Sequence, residues 1–219
     1  GKKTAFKYET WTPQQLHTFL SFMEEHEQDI DEGQVRLHPV FAVLGMTGVR
    51  RGEAMALRWA AVDLDEGVAV IRESLSPAGG LTFKDPKNES SIREEWLSPM
   101  LVGILKGHKR HQRAWKMRCG EAYADQDLVF AGPDAEPIHP DVVTKSFPKL
   151  AAKAGLLPIR VHDLRHSFAT AHHRMGTDMK TISGMLGHSS VGITQDLYAH
   201  KASAKEKVAS MAFEAEMGV

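Results

Sequence analysis

The chain has 219 residues, 42 % hydrophobic and 25 % charged, and 27 Lys plus Arg stand against 28 Asp plus Glu for a formal charge of −1. This suits one large domain with a substantial core, and no apolar run approaches the roughly 18 residues a membrane helix needs. One cysteine, Cys119, excludes an internal disulfide framework, and the start, Gly1-Lys2-Lys3-Thr4, lacks a signal-peptide apolar stretch, so a reducing cytoplasm is the expected location.

Residues 1–10 read as a linker remnant, and a domain is expected over 11–200. A helix opens at Thr12, with Pro13 at its first position, Gln15 completing a capping box, and Leu16, Phe19, Leu20 and Met23 at helical spacing. An acidic loop, Glu24 to Glu32, leads to a more buried helix around Val40, Phe41, Val43 and Leu44, which Thr47-Gly48 breaks. A short helix is expected over Arg51 to Leu57. Val62 to Ile71 reads as two strands around a turn. Leu81-Thr82-Phe83 and Ile92 to Leu97 read as two more, joined by a turn containing Asp85-Pro86-Lys87-Asn88. After Ser98 a long helix carries Lys106, Lys109, Arg110, Arg113, Lys116 and Arg118, with no acid between Trp96 and Gly120. Asp127 to Phe130 reads as an isolated strand. Further helices are expected over 140–155, 163–175, 178–186, 191–199 and 203–216, with Gly155, Gly176 and Gly187 at stops. The fold class is therefore mainly α with a small antiparallel β-sheet.

Net near-neutrality is unusual for a nucleic-acid-binding domain, but the sum hides a basic face and an acidic face, and the former can meet a polyanion. Four places carry unusual chemistry. Arg50 follows a Gly turn at a helix start, where backbone N–H groups favour anions, and Glu53 lies three residues on. Lys87 sits on a turn, followed by Ser91 and Arg93. His162, Arg165 and His166 share a helix face at three- and four-residue spacing. Leu186-Gly187-His188 precedes Tyr198 by ten residues. Two arginines suit bidentate grip on a phosphodiester, lysine and histidine can move protons, and tyrosine can be a covalent nucleophile. No carboxylate cluster has metal-ligand spacing, so neither metal nor another cofactor is expected.

In that order, across about 150 residues, Thr47-Gly48-Val49-Arg50-Arg51-Gly52-Glu53, Pro86-Lys87 with Ser91 and Arg93, His162-Asp163-Leu164-Arg165-His166, and Leu186-Gly187-His188 with Tyr198 resemble the tyrosine recombinases, or lambda-type phage integrases. The resemblance implies the fold of that catalytic domain and a site-specific recombinase acting in DNA integration. Arg50 and Arg165 would clamp the scissile phosphate and His188 would hydrogen-bond it. Tyr198 would form a 3′-phosphotyrosyl link, Lys87 would protonate the leaving 5′-oxygen, His162 would assist the tyrosine proton, and Glu53 would support the site. Lys84, Arg93, Lys109, Arg110 and Arg113 are DNA-binding candidates. The implied partners are a double-stranded recombination site, other protomers in a synaptic tetramer, and an N-terminal DNA-binding domain that these residues do not include; no membrane is involved. The setting would be bacterial cytoplasm, its nucleoid, or a phage-infected host. Residues 201–219 are expected to form a tail helix that would dock on a neighbouring protomer or fold onto its own core.

Asn88, Glu94 and Glu95 depart from the family pattern, and Lys84 rivals Lys87 as the catalytic lysine. The alternatives are a zinc hydrolase using His162 and His166, a protein that binds DNA without cutting it, and a type IB topoisomerase. Against the first, Asp163 rather than Glu follows His162, and Arg165 would repel a cation.

Overall fold

The computed structural model describes residues 9–27, 34–85 and 92–187. Helix α1 spans Pro13–His26, α2 His38–Thr47 and α3 Arg51–Met55. A 3-10 turn, Trp59–Ala61, leads into strands β1 (Val62–Asp63), β2 (Val68–Ile71), β3 (Ser74–Ser76), β4 (Thr82–Lys84) and β5 (Arg93–Trp96). Helices α4 (Pro99–Cys119), α5 (Pro140–Lys153), α6 (Val161–Arg174) and α7 (Met179–Leu186) complete the order. The expected class, mainly helical with small antiparallel sheets, is the one observed. The helices expected over 191–199 and 203–216 lie outside the described residues.

Local chemistry sets the helix starts. Thr12 and Gln15 form the reciprocal capping box, with Thr12 Oγ1 accepting from Gln15 N at 3.2 Å and Gln15 Oε1 accepting from Thr12 N at 2.9 Å. Helix α6 begins two residues earlier than its apolar periodicity suggests, because Asp163 accepts the Arg160 N–H at 3.0 Å and fixes the start before the first apolar repeat. Four aromatic rings, Trp11, Phe19, Phe41 and Phe147, pack with centroids 5.2–5.4 Å apart and join α1, α2 and α5 to the segment before α1. Trp11 is buried, and its backbone N–H donates to Ser167 Oγ on α6 at 2.9 Å.

The strand pairing differs from the expected hairpin between residues 81–83 and 92–97. Strand β5 pairs instead with β2, which also pairs with β1, and β4 pairs with β3, a strand the hydropathy did not signal. The register explains the choice. Directly opposed residues on antiparallel strands share a sheet face, so Arg93 and Glu95 stand beside buried Ile71 and Ala69. Trp96 and Glu94 point outward with Val68 and Val70. Pairing β3 with β4 sets Leu75 opposite Phe83, over which the Arg58 guanidinium lies 4.8 Å from the ring centre. Residues 127–130 form no strand; Leu128 makes a single bridge to Arg58 and Ala131 one to Pro137.

Gly48 combines a left-handed backbone with a close approach by a neighbouring ring. Its φ is +69°, and a Cβ there would lie 2.6 Å from Phe168 Cδ1. Gly48→Ala is expected to cost about 2–4 kcal/mol, from left-handed strain plus overpacking. Gly79→Ala, at φ +77° with nothing within 4 Å, should cost only the strain, about 1 kcal/mol. Urea midpoints of the two variants check this, and equal losses would refute the close approach.

Candidate active site

Arg165 is the buried centre. It is 5 % exposed, on the inward face of α6. Nη1 donates to Gly48 O at 2.7 Å and Nη2 to Leu186 O at 2.6 Å, so one guanidinium fastens the α2–α3 turn and the end of α7 to α6. Among the described residues no carboxylate pairs with it. Burial first, and then the nearby Arg50 charge, lower its pKa to about 10, which leaves it charged at neutral pH.

Arg50 caps α3, with its side chain 45 % exposed. Its Nη2 donates to Gly187 O at 3.3 Å, the carbonyl next to the one Arg165 holds. The last carbonyls of α7 thus meet two guanidiniums, as the negative end of a helix favours. Glu53 orients Arg50 from below. Its carboxylate accepts the Arg50 N–H and Nη1, each at 2.8 Å. Although burial opposes ionisation, hydrogen bonds from Arg93 and Arg50 hold the Glu53 carboxyl below the usual range.

Arg93, read from the sequence as a DNA contact, faces inward with its side chain 10 % exposed. It donates to both Glu53 oxygens, at 3.3 and 2.8 Å, and its Nε donates to Glu95 Oε1 at 2.6 Å. The Glu53–Arg93–Glu95 group is what sequence reasoning missed. Its one signal was a charged residue, Glu95, at an inward position of a short strand.

His162 and His166 lie one turn apart on α6, ring centroids 5.0 Å apart and nearly perpendicular. His162 is exposed and His166 half-buried. Burial, aided by Arg165 at His162 and by His162 at His166, lowers both pKa values, that of His166 to about 4. Both are therefore neutral at pH 7. Lys84 is exposed at the end of β4. On α4, Lys109 sets its ammonium 4.7 Å from the Trp59 ring centre, and Arg110 and Arg113 are exposed. Lys87, His188 and Tyr198 lie outside the described residues. No group of three metal-ligating side chains occurs among the described residues, and no helix there is long and apolar enough to cross a membrane.

The fold is that of tyrosine recombinase catalytic domains. The structure of a Tn1549 transposon integrase in complex with a circular intermediate DNA matches with TM-score 0.73 at 20 % identity, over 96 % of this chain and 68 % of that one. The XerA recombinase crystal structure matches with TM-score 0.69 at 22 % identity, over 96 % and 65 %. The phage integrase family profile matches residues 9–205, and the chain belongs to that family. Among curated relatives, a XerC-like tyrosine recombinase of Caldanaerobacter subterraneus subsp. tengcongensis is 26 % identical over 212 residues, covering 91 % of this chain and 52 % of its own. The ICEBs1 integrase of Bacillus subtilis is 28 % identical over 205 residues, covering 93 % and 54 %. The chain thus spans about half the length of these relatives.

A histidine whose pKa falls on folding contributes stability that is complete above its unfolded value and is lost as pH falls through its folded value. For His166 that window runs from the ordinary 6.5 down to about 4. Glu95, raised to about 7, acts in the opposite sense and loses its contribution as pH rises from 4.5 through 7. His166→Gln should therefore flatten the fall in stability between pH 6.5 and 4 relative to the parent, read from urea unfolding at each pH. An unchanged slope would place His166 in solvent.

Proposed function

We propose that the chain is the catalytic domain of a site-specific DNA recombinase that cuts and rejoins strands through a 3′-phosphotyrosyl link, without metal or ATP. One observation carries this reading: Arg50 and Arg165 converge on adjacent carbonyls, and Arg165 is a buried cation with no directly paired carboxylate among the described residues. A buried cation is costly until an anion joins it, and the flat two-pronged fork of arginine fits the oxygens of a phosphodiester.

In this mechanism the two arginines bind the non-bridging oxygens and, with His188, stabilise the pentacoordinate transition state. Tyr198 Oη attacks phosphorus, and its proton passes to neutral His162, whose lowered pKa leaves a ring nitrogen free to accept. The P–O bond to the 5′-oxygen breaks as Lys87 gives that oxygen a proton. Attack by a 5′-hydroxyl of another strand reverses these steps and frees Tyr198. The phosphodiester energy is conserved in the tyrosyl ester, so neither nucleotide nor metal enters. Lys84, Lys109, Arg110 and Arg113 supply DNA-backbone contacts, Glu53 supports Arg50, and the complete enzyme adds an N-terminal DNA-binding domain and acts as a synaptic tetramer in the bacterial cytoplasm. Residues 201–219 dock as a tail helix within or between protomers.

In excess EDTA, SDS-quenched mixtures of the chain with attachment-site or plasmid DNA should contain a protease-sensitive DNA adduct that Tyr198→Phe abolishes. Arg165→Lys should lower its formation about 100-fold or more, since lysine cannot make the paired contact. An adduct that survives Tyr198→Phe would refute the reading. The lysines are separated by leaving-group chemistry. A 5′-bridging sulfur needs no protonation to depart, so it should restore cleavage to Lys87→Ala, and Lys84→Ala should need no rescue. Rescue of Lys84→Ala instead would move the acid to β4.

A further inference from the structure

Beneath the phosphate-facing arginines lies a ladder of alternating charge. Arg50 is held by Glu53, Glu53 is shared with Arg93, and Arg93 is shared with Glu95. Every rung below Arg50 is nearly closed to solvent, with side chains 10 % exposed for Glu53 and Arg93 and 5 % for Glu95. The ladder also touches the other wall of the site. A Cβ on Gly187 would lie 2.6 Å from Arg93 Nη1, so the Arg93 guanidinium packs flush against the residue whose carbonyl receives Arg50. Arg93 therefore stands under both the α3 start and the α7 end.

We propose that Glu95 is a positioning residue for Arg50, acting through Arg93 and Glu53, so that its charge sets how firmly the outer arginine is aimed. The idea rests on the phosphate-clamp reading for its functional consequence but not for the linkage itself. With Glu95 ionised, Arg93 divides its donors between two carboxylates, and Glu53 keeps a full share for Arg50. With Glu95 neutral, the Arg93 charge falls wholly on Glu53, which then holds Arg50 less tightly. Glu95 faces Arg93 on its own strand, uncharged Ala69 across on β2, Glu53 from α3 and Arg165 from α6. Burial lifts its carboxyl to about 7 against the pull of Arg93, which places the change of state within the working range of pH.

The test uses the full chain and two measurements. In an NMR titration of the wild type from pH 5.5 to 8.5, the Glu95 carboxyl carbon and the Arg50 Nε–H signal are expected to shift with one midpoint near neutrality. Glu95→Gln should abolish the Arg50 transition, whereas His162→Gln should leave it, which separates Glu95 from the nearby imidazole. In single-turnover adduct formation, Glu95→Gln should match wild type at pH 6 and be about tenfold slower at pH 8, where the native residue is ionised. A role in stability alone would slow both. An Arg50 signal that ignores the Glu95 titration overturns the proposal, and this wild-type measurement decides it even where the variant does not fold. Inorganic phosphate reads the underlying clamp separately. If phosphate moves neither Arg50 nor Arg165 Nε–H signals, the clamp reading fails, while the common midpoint still decides the linkage.

Discussion

The structure depends on a buried cation that no carboxylate among the described residues pairs with directly. Arg165 is buried, yet among the described residues its partners are two main-chain carbonyls, Gly48 O and Leu186 O. Carbonyl dipoles satisfy N–H groups without cancelling charge, so the guanidinium keeps its field in a poorly solvated place. A carboxylate there would give a quieter interior and an unreceptive site. The fold bears the cost through its apolar core, in which Phe41, Leu101, Leu105 and Phe147 are fully buried around the helices that carry the arginine and its partners.

Several local features follow from that placement. Arg165 can reach Gly48 O only because the α2–α3 turn passes in a left-handed conformation, with Phe168 packed where a side chain would be. It can reach Leu186 O because α7 ends there, Gly187 taking φ +62° and exposing the last carbonyls. The same end receives Arg50. Two arginines 115 residues apart in sequence are brought together by one helix terminus, and the negative end of α7 offsets their mutual repulsion.

The helices were legible in the sequence because their signals are local. Thr12-Pro13 with Gln15, the Gly48 break and the Gly187 stop each act within a few residues, and the structure places each as read. The strands were less legible because they are two to four residues long and pairing is a long-range choice. Residues 82–84 and 93–96 sit near each other in sequence, yet the first pairs with β3 and the second with β2. Arg50, Glu53 and Arg165 were identifiable as chemically unusual, but the reason Arg165 is receptive, its carbonyl partners, depends on backbone positions that no residue type encodes. Arg93 was misleading for the same reason. An arginine on a short strand reads as a surface charge until the register turns it inward beside Ile71.

That inward turn also resolves the neutral net charge, which sits poorly with the DNA partner proposed for the chain. Of the arginines near the site, Arg93 is offset internally by Glu53 and Glu95 and adds no net field outside. Glu53 is divided between Arg93 and Arg50, so Arg50 is only partly offset, and Arg165 is hydrogen-bonded to carbonyls alone, with Glu53 and Glu95 acting on it only from beyond direct contact. The uncompensated charge therefore lies in one place, at the α7 end. Such a chain needs no general excess of lysine and arginine to hold one phosphate. A focused pair in a poorly solvated recess acts more strongly on a single anion than the same charges spread over a wet surface. In the proposed function, exposed Arg110 and Arg113 of α4 would act at longer range, where salt screening keeps each contact weak and exchangeable.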